Sequence, residues 1–284
     1  MEIAKTIEAA RSLVKAARGQ DKTIGFVPTM GALHIGHISL IEAAVKQCDF
    51  VVVSIFVNPT QFGPGEDLEK YPRPLDADLK ICEKHNVDLV FNPTAEEMYS
   101  QENVTWVTVE KLTEPLCGRS RPDHFRGVAT VCAKLFNIIG PDIAFFGQKD
   151  AQQAVVIKRM IADLNMPLEI VVCATIREPD GLAVSSRNQY LSAQQRKDAA
   201  IIYKSLQKCR QMIEAGARDP KKVAAEMRRI LTRVPSIEIE YIDIVDAETL
   251  EQIDPIAGRV LAVVAVRLGP ARLIDNILLD VGKQ

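Results

Sequence analysis

His34 and His37 stand three residues apart with Gly36 between them, in the run Pro28-Thr29-Met30-Gly31-Ala32-Leu33-His34-Ile35-Gly36-His37. Positions i and i+3 share one helical face, so both imidazoles can turn toward one ligand. An apolar stretch at 24–27 reads as a strand before the run. A helix with Leu40, Ile41, Ala44 and Val45 on one face follows it. The pair therefore belongs in the first turn of a helix, where free N–H groups and positive potential collect anions. Gly31 and Gly36 allow the backbone to approach a phosphate closely. A helix N-terminus also lowers an imidazole pKa and leaves a neutral ring with one donor. Three readings compete at this point. A metal would need a third ligand, which nothing nearby supplies, and two ordinary surface histidines are always available as an explanation. Phosphate is favoured, because it alone accounts for the glycines and the strand–loop–helix context.

Other segments offer matching chemistry. Phe145-Phe146-Gly147-Gln148-Lys149-Asp150-Ala151-Gln152-Gln153 again joins a strand end to a helix start. Lys149 is a point charge suited to phosphate. Asp150 is placed to cap the helix, and Gln153, one turn in, could bond a polar substrate. Ser185, Ser186 and Arg187, in a loop opened by Asp180-Gly181, could wrap phosphate oxygens, or simply form a capped turn. Asn58 and Gln61 leave the most apolar strand and offer uncharged donors and acceptors, although turn chemistry around Pro59 would also explain them. Three arginines and His124 within 119–126 could meet an anion or form a solvated basic loop.

The elements that must position these residues follow from periodicity. Strand patterns at 24–27, 50–57, 88–91, 142–146 and 168–172 alternate with helical patterns at 7–17, 75–85, 127–139 and 151–164. Such β-α alternation predicts an α/β fold with a doubly wound parallel sheet, whose ligands gather at the carboxyl ends of strands. Beyond Arg187-Asn188 the pattern changes. A long helix over 193–215, a second from Asp219-Pro220, and strands at 237–244, 260–266 and 272–276 predict a small α+β domain. The expected division is 1–184 for nucleotide and acid binding and 185–284 for a smaller C-terminal lid domain. A length of 284 residues accommodates both. With 35 Lys and Arg against 37 Asp and Glu, the formal net charge is −2, which gives no global footprint for nucleic acid. Six cysteines without metal spacing read as reduced thiols of a cytoplasmic protein. A secretory pattern and a membrane-length apolar run are both missing, so no membrane partner is expected.

Four of these segments together resemble the pantoate–β-alanine ligase (pantothenate synthetase) family, part of the H-x-G-H nucleotidyltransferase superfamily. They are P-T-M-G-A-L-H-x-G-H at 28–37, F-V-N-P-x-Q-F at 56–62, F-G-x-K-D-x-Q-Q at 146–153 and S-S-R-N at 185–188. The resemblance implies a Rossmann-like fold and a two-step reaction, in which pantoate attacks the α-phosphate of ATP and β-alanine then attacks the adenylate. It implies that Met30, Gly31, Ala32, Leu33, His34, Ile35, Gly36 and His37 form the ATP-binding turn. His37 would be the proton donor, assisted by His34. Gly147, Gln148, Lys149 and Asp150 would contact ATP, and Ile176 would sit by adenine and ribose. Val184, Ser185, Ser186 and Arg187 would close over the phosphates. Gln61 would hold pantoate and β-alanine, and Gln153 would hold pantoate, with Asn58 beside them. Lys149 and Arg187 would share the catalytic work. The family further implies Mg2+, a cytoplasmic location and a homodimer. Ile35 and Val184 depart from the usual pattern, where an acidic or other residue and Met stand. Two other readings use the same histidines: a nucleotidylyltransferase acting on a phosphorylated acceptor, and a catalytically silent nucleotide sensor.

Overall fold

The structure, a computed structural model, describes residues 1–99 and 103–282. The first part of the chain runs Glu2–Ala4 (β1), Ile7–Arg18 (α1), Ile24–Thr29 (β2), Ile35–Gln47 (α2), Phe50–Ile55 (β3), Leu75–Lys84 (α3) and Leu89–Phe91 (β4). It continues through Ala95–Met98 (α4), Cys117–Ser120 (α5), His124–Ile139 (α6), Ile143–Gly147 (β5), Ala151–Asp163 (α7) and Glu169–Cys173 (β6). All six strands are parallel, in the order β1-β4-β3-β2-β5-β6. From β2 the chain moves outward through β3 and β4, then returns to add β5 and β6 on the other side. The order therefore reverses between β2 and β5, which opens a crevice at their carboxyl ends.

Alternation within each strand explains why helices cover both faces. Ile24 and Phe26 of β2 and Val52 of β3 pack with α1, α6 and α7 through Ala10, Val14, Val128 and Ile157. Val27 of β2 and Val51, Val53 and Ile55 of β3 point the other way, onto Leu40, Ile41 and Ala44 of α2 and Cys82 of α3. Strands buried on both sides carry continuous apolar runs for this reason.

The remainder comprises Ala193–Asp198 (α8), Ile201–Glu214 (α9), Pro220–Leu231 (α10), Ile237–Asp246 (β7), Gly258–Leu268 (β8) and Ala271–Val281 (β9). The three strands form an antiparallel sheet in the order β7-β8-β9. Val260, Ala262, Val264 and Val266 of β8 pack under α9 and α10. Leu261 and Val263, on the opposite face, meet Leu116 and Ala151 of the first domain. Both faces of this small sheet are thus covered.

One expectation needs correction. The long helix over 193–215 is two helices. Ser192 and Gln195 form a capping box that starts α8, and a turn at Ala199 and Ala200 (ψ −26° and −18°) separates it from α9. The turn keeps Ala199 in the core while Ile202, Leu206, Cys209 and Ile213 face the sheet. The N-terminal strand β1 was not anticipated, because three residues at a sheet edge carry no readable alternation.

Candidate active site

The loop after β2 enters the crevice through two left-handed residues, Gly31 (φ 82°) and Ala32 (φ 51°). A Cβ on Gly31 would lie 3.0 Å from the Asp78 carboxylate and 3.1 Å from Ile55. The buried Asp78 carboxylate accepts the N–H groups of Ala32 at 2.9 Å and Leu33 at 2.7 Å. Asp78 comes from α3, and nothing in its sequence context pointed to this role. It holds the unfavourable Ala32 conformation from below. Gly31, Ala32 and Leu33 build this turn, and they are not among the residues lining the cavity.

His34 is the N-cap of α2 and His37 its third residue, and together they form a reciprocal cap. His34 Nδ1 accepts the Gly36 N–H at 3.1 Å, and His37 Nδ1 accepts the His34 N–H at 3.3 Å. Each Nδ1 is an acceptor, so each neutral ring carries its proton on Nε2. The ring centroids lie 4.1 Å apart. Burial, followed by the nearby charge of Lys149, pulls His34 down to about 4. Burial, followed by the neighbouring His34, pulls His37 down to about 3. The neutral state foreseen for this pair thus arises chiefly from desolvation rather than from the helix terminus.

A cavity of about 230 Å³ is lined by Met30, His34, Gly36, His37, Asn58, Gln61, Gly147, Lys149, Asp150, Gln153, Ile176, Val184, Ser185, Ser186 and Arg187. The four motifs, together with Ile176, thus converge on one space. A wider cleft of about 660 Å³ adjoins it and shares Arg121, His124, Lys149, Gln153, Ser185 and Arg187. Ile35 and Gln148 lie outside the smaller cavity. Ile35 points to solvent, and the Gln148 amide is turned toward Asn276 of β9 at 3.0 Å. Asp150 makes no side-chain cap to α7; its carboxylate lines the cavity, 3.8 Å from the Lys149 ammonium.

The substrate-side amides are oriented by a buried relay. Tyr99 Oη donates to Asn58 Oδ1 at 2.9 Å, and Asn58 Nδ2 donates to Gln61 Oε1 at 3.2 Å and to the Gly127 carbonyl at 3.3 Å. Gln61 is left presenting its NH2 group, which meets Met30 Sδ at 3.1 Å. A Cβ on Gly127 would collide with the Thr60 carbonyl, so α6 can approach this loop only with glycine there. Gln152 is committed to structure, with its amide bonded to Leu112, Pro115 and Cys117, while Gln153 lines the cavity.

Arg121 and His124, read from sequence as only one of two possibilities, enter the wall. Arg121 Nη1 donates to His124 Nε2 at 3.0 Å, which leaves His124 Nδ1–H to donate to the Gln61 carbonyl at 2.8 Å. Burial and then Arg121 hold His124 down at about 4. The loop at 63–70 crosses the opening and is tied to both arginines. Glu66 takes Arg121 at 2.6 and 2.5 Å, and Asp67 takes Arg187 at 3.1 and 3.0 Å.

These donors suit a substrate that combines a polyphosphate with a small polar acid, and relatives of known activity bear on that. The family model described as pantoate-beta-alanine ligase matches residues 2–278. Pantothenate synthetase from Thermotoga petrophila is 53% identical over 279 residues, covering 98% of this chain and 100% of the relative. The Moorella thermoacetica pantothenate synthetase is 53% identical over 281 residues, with 99% of each covered. The crystal structure of pantothenate synthetase from Thermus thermophilus superposes with a TM-score of 0.94 at 43% identity and full coverage of both chains. A Francisella tularensis pantoate-beta-alanine ligase, solved with beta-gamma ATP and beta-alanine, gives a TM-score of 0.80 at 35% identity over 98% of this chain and 97% of that one. Motifs, fold and full-length similarity agree, and the chain belongs to the pantoate–β-alanine ligase family.

Proposed function

We propose that the cavity between β2 and β5 carries the adenylation of pantoate, and that β-alanine reaches the adenylate through the adjoining cleft. The overall activity, ATP-dependent ligation of pantoate with β-alanine, accompanies family membership. The convergence of His34, His37, Lys149 and Arg187 around one space, opposite Asn58, Gln61 and Gln153, is the observation that carries the assignment of steps to residues.

Adenylation forms an acyl–phosphate bond and expels pyrophosphate. The carboxylate of pantoate is already a nucleophile at neutral pH, and the leaving group departs as an anion. The protein supplies no covalent nucleophile and no obligatory proton. What it must do is align the two reactants and meet the growing charge with fixed donors. The Nε2–H groups of His34 and His37 are such donors, preset by their Nδ1 bonds. His37 therefore acts as a hydrogen-bond donor rather than as an acid, which its low pKa also favours. Lys149 and Arg187 add positive charge, and Ser185 and Ser186 add hydroxyls. The NH2 of Gln61 and the amide of Gln153 hold the acid. In the second step the amine of β-alanine attacks the acyl carbon, AMP leaves, and one proton is released.

Among the described residues no group of three or more His, Cys, Asp or Glu side chains is arranged to hold a metal. Magnesium, implied by the family resemblance, is read as entering with the nucleotide, as part of the substrate. No described helix is long and apolar enough to cross a membrane. A cytoplasmic location and a homodimer complete the reading.

Exchange of labelled pyrophosphate into ATP tests it. Exchange should require pantoate and proceed without β-alanine, and adding β-alanine should release AMP. Exchange independent of pantoate would remove the assignment, and AMP retained in the product would mark a nucleotidylyltransferase.

A further inference from the structure

Asn276 belongs to β9 in the second domain, yet its carboxamide is bound to the loop between β5 and α7. Its Nδ2 donates to the carbonyl oxygens of Gln148 and Lys149, each at 2.9 Å. Its Oδ1 accepts from Gln148 Nε2 at 3.0 Å. The residue is only 4% exposed. The tight turn at Gln148–Asp150 has no side-chain cap of its own, and Asp150 does not cap the helix that follows. Its conformation is therefore held from across the domain boundary. The strand behind Asn276 is itself anchored. Asp275 takes the Arg177 guanidinium at 2.6 and 2.9 Å, Arg177 also reaches the Asn276 carbonyl at 3.3 Å, and β9 pairs along its length with β8.

We infer that Asn276 is a positioning residue for Lys149: it fixes the peptide from which the ammonium group is projected into the cavity. The inference rests on the reading of Lys149 as a phosphate contact. Lysine is a flexible point charge, so the place of its Nζ depends on the backbone that launches it. A displacement of about 1 Å at a catalytic group can cost about 100-fold in rate. Without the Asn276 amide, two carbonyls in a half-buried turn lose their donors, and the turn relaxes to find others. Asn276 thereby sets a charge in the smaller cavity, which it does not itself line.

A double-mutant cycle on the full chain separates positioning from mere support. Pantoate-dependent pyrophosphate exchange is measured for wild type, Asn276→Ala, Lys149→Ala and the double variant. Thermal unfolding of each is followed alongside. Asn276→Ala should slow exchange by about tenfold or more while the KM for pantoate moves less than about twofold. In the Lys149→Ala background the same change should add less than about twofold, because the residues act as one unit. Losses that multiply in the double variant would overturn the inference, as would Asn276→Ala exchanging like wild type while Lys149→Ala is impaired. Wild-type exchange by Lys149→Ala would instead remove the reading of Lys149, and the positioning role with it. Asn276→Ser replaces alanine in the cycle if Asn276→Ala does not fold, with the same two outcomes deciding.

Discussion

Protonating either ring of the His34–His37 pair would destroy the acceptor on which the local cap depends, because each Nδ1 already receives a backbone N–H. The folded chain therefore resists protons that the unfolded chain accepts near pH 6.5. The stability contributed by a depressed imidazole is complete above pH 6.5 and is lost as pH falls toward about 4 for His34 and His124 and about 3 for His37. Each buried ring adds a slope of at most about 1.4 kcal/mol per pH unit in that window. Urea midpoints should decline between pH 6.5 and 5, before most carboxylates titrate, and His37→Gln should make the decline shallower. An unchanged slope in that variant would mean that the ring titrates alike folded and unfolded. In the native protein at pH 5.5, 15N shifts should report neutral Nε2–H tautomers for both residues. At neutral pH, His37→Ala removes one preset donor and should reduce turnover by about 100- to 1000-fold with the fold retained. Near-wild-type turnover would show that the donor does not face the developing charge.

The turns that present these residues were more legible than the forces that hold them. The H-x-G-H turn and the Lys149 turn could be placed because apolar strands and amphipathic helices bracket them at readable periods. Ser185 and Arg187 could be named as candidates from their residue types. What could not be read was long-range pairing. Asp78 lies more than forty positions from the turn it supports, and Tyr99 lies 41 from the Asn58 it orients. Gln148 faces away from the cavity because a partner 128 residues later claims it. The acidic loop at 63–70 shows the same limit. Its composition marks it only as polar, whereas its pairing with Arg121 and Arg187 exists only in three dimensions. Asp67 occupies the guanidinium that a phosphate would need, so the two compete. Asp67→Asn removes the charge-assisted bonds and should lower the KM for ATP by about two- to tenfold. A KM that stays constant or rises would show that Arg187 does not receive the nucleotide in this geometry.

Closure over a water-sensitive adenylate could come from the loop or from the whole second domain, and the junction between the domains discriminates the two. Leu261 and Val263 of β8 pack against Leu116 and Ala151, and Leu182, just beyond β6, is buried in the second core. Arg177 lies 3.9 Å over the Tyr203 ring and grips Asp275, whose side chain is 2% exposed. Rocking the domain would expose this apolar patch and separate a buried ion pair. Opening the loop breaks only partly solvated pairs around Glu66 and Asp67. These contacts favour the loop over the second domain as the moving part: ATP with pantoate should then alter amide exchange at 63–70 and leave 258–281 unchanged, whereas a changed 258–281 would return the lid to the second domain. The ion pair itself is better read as a fixed joint than as a source of net stability, since taking two charges out of water offsets much of their attraction. Removing one partner is another matter. Arg177→Ala leaves the Asp275 carboxylate buried without its counter-ion and should cost about 3–5 kcal/mol of unfolding free energy. Asp275→Asn in the same chain should recover a large part of that loss, because the stranded charge is gone. If the joint couples the two domains, denaturant unfolding should be a single transition in wild type and should separate into two in Arg177→Ala. A single transition with an unchanged midpoint would show that the apolar patch alone holds the domains together.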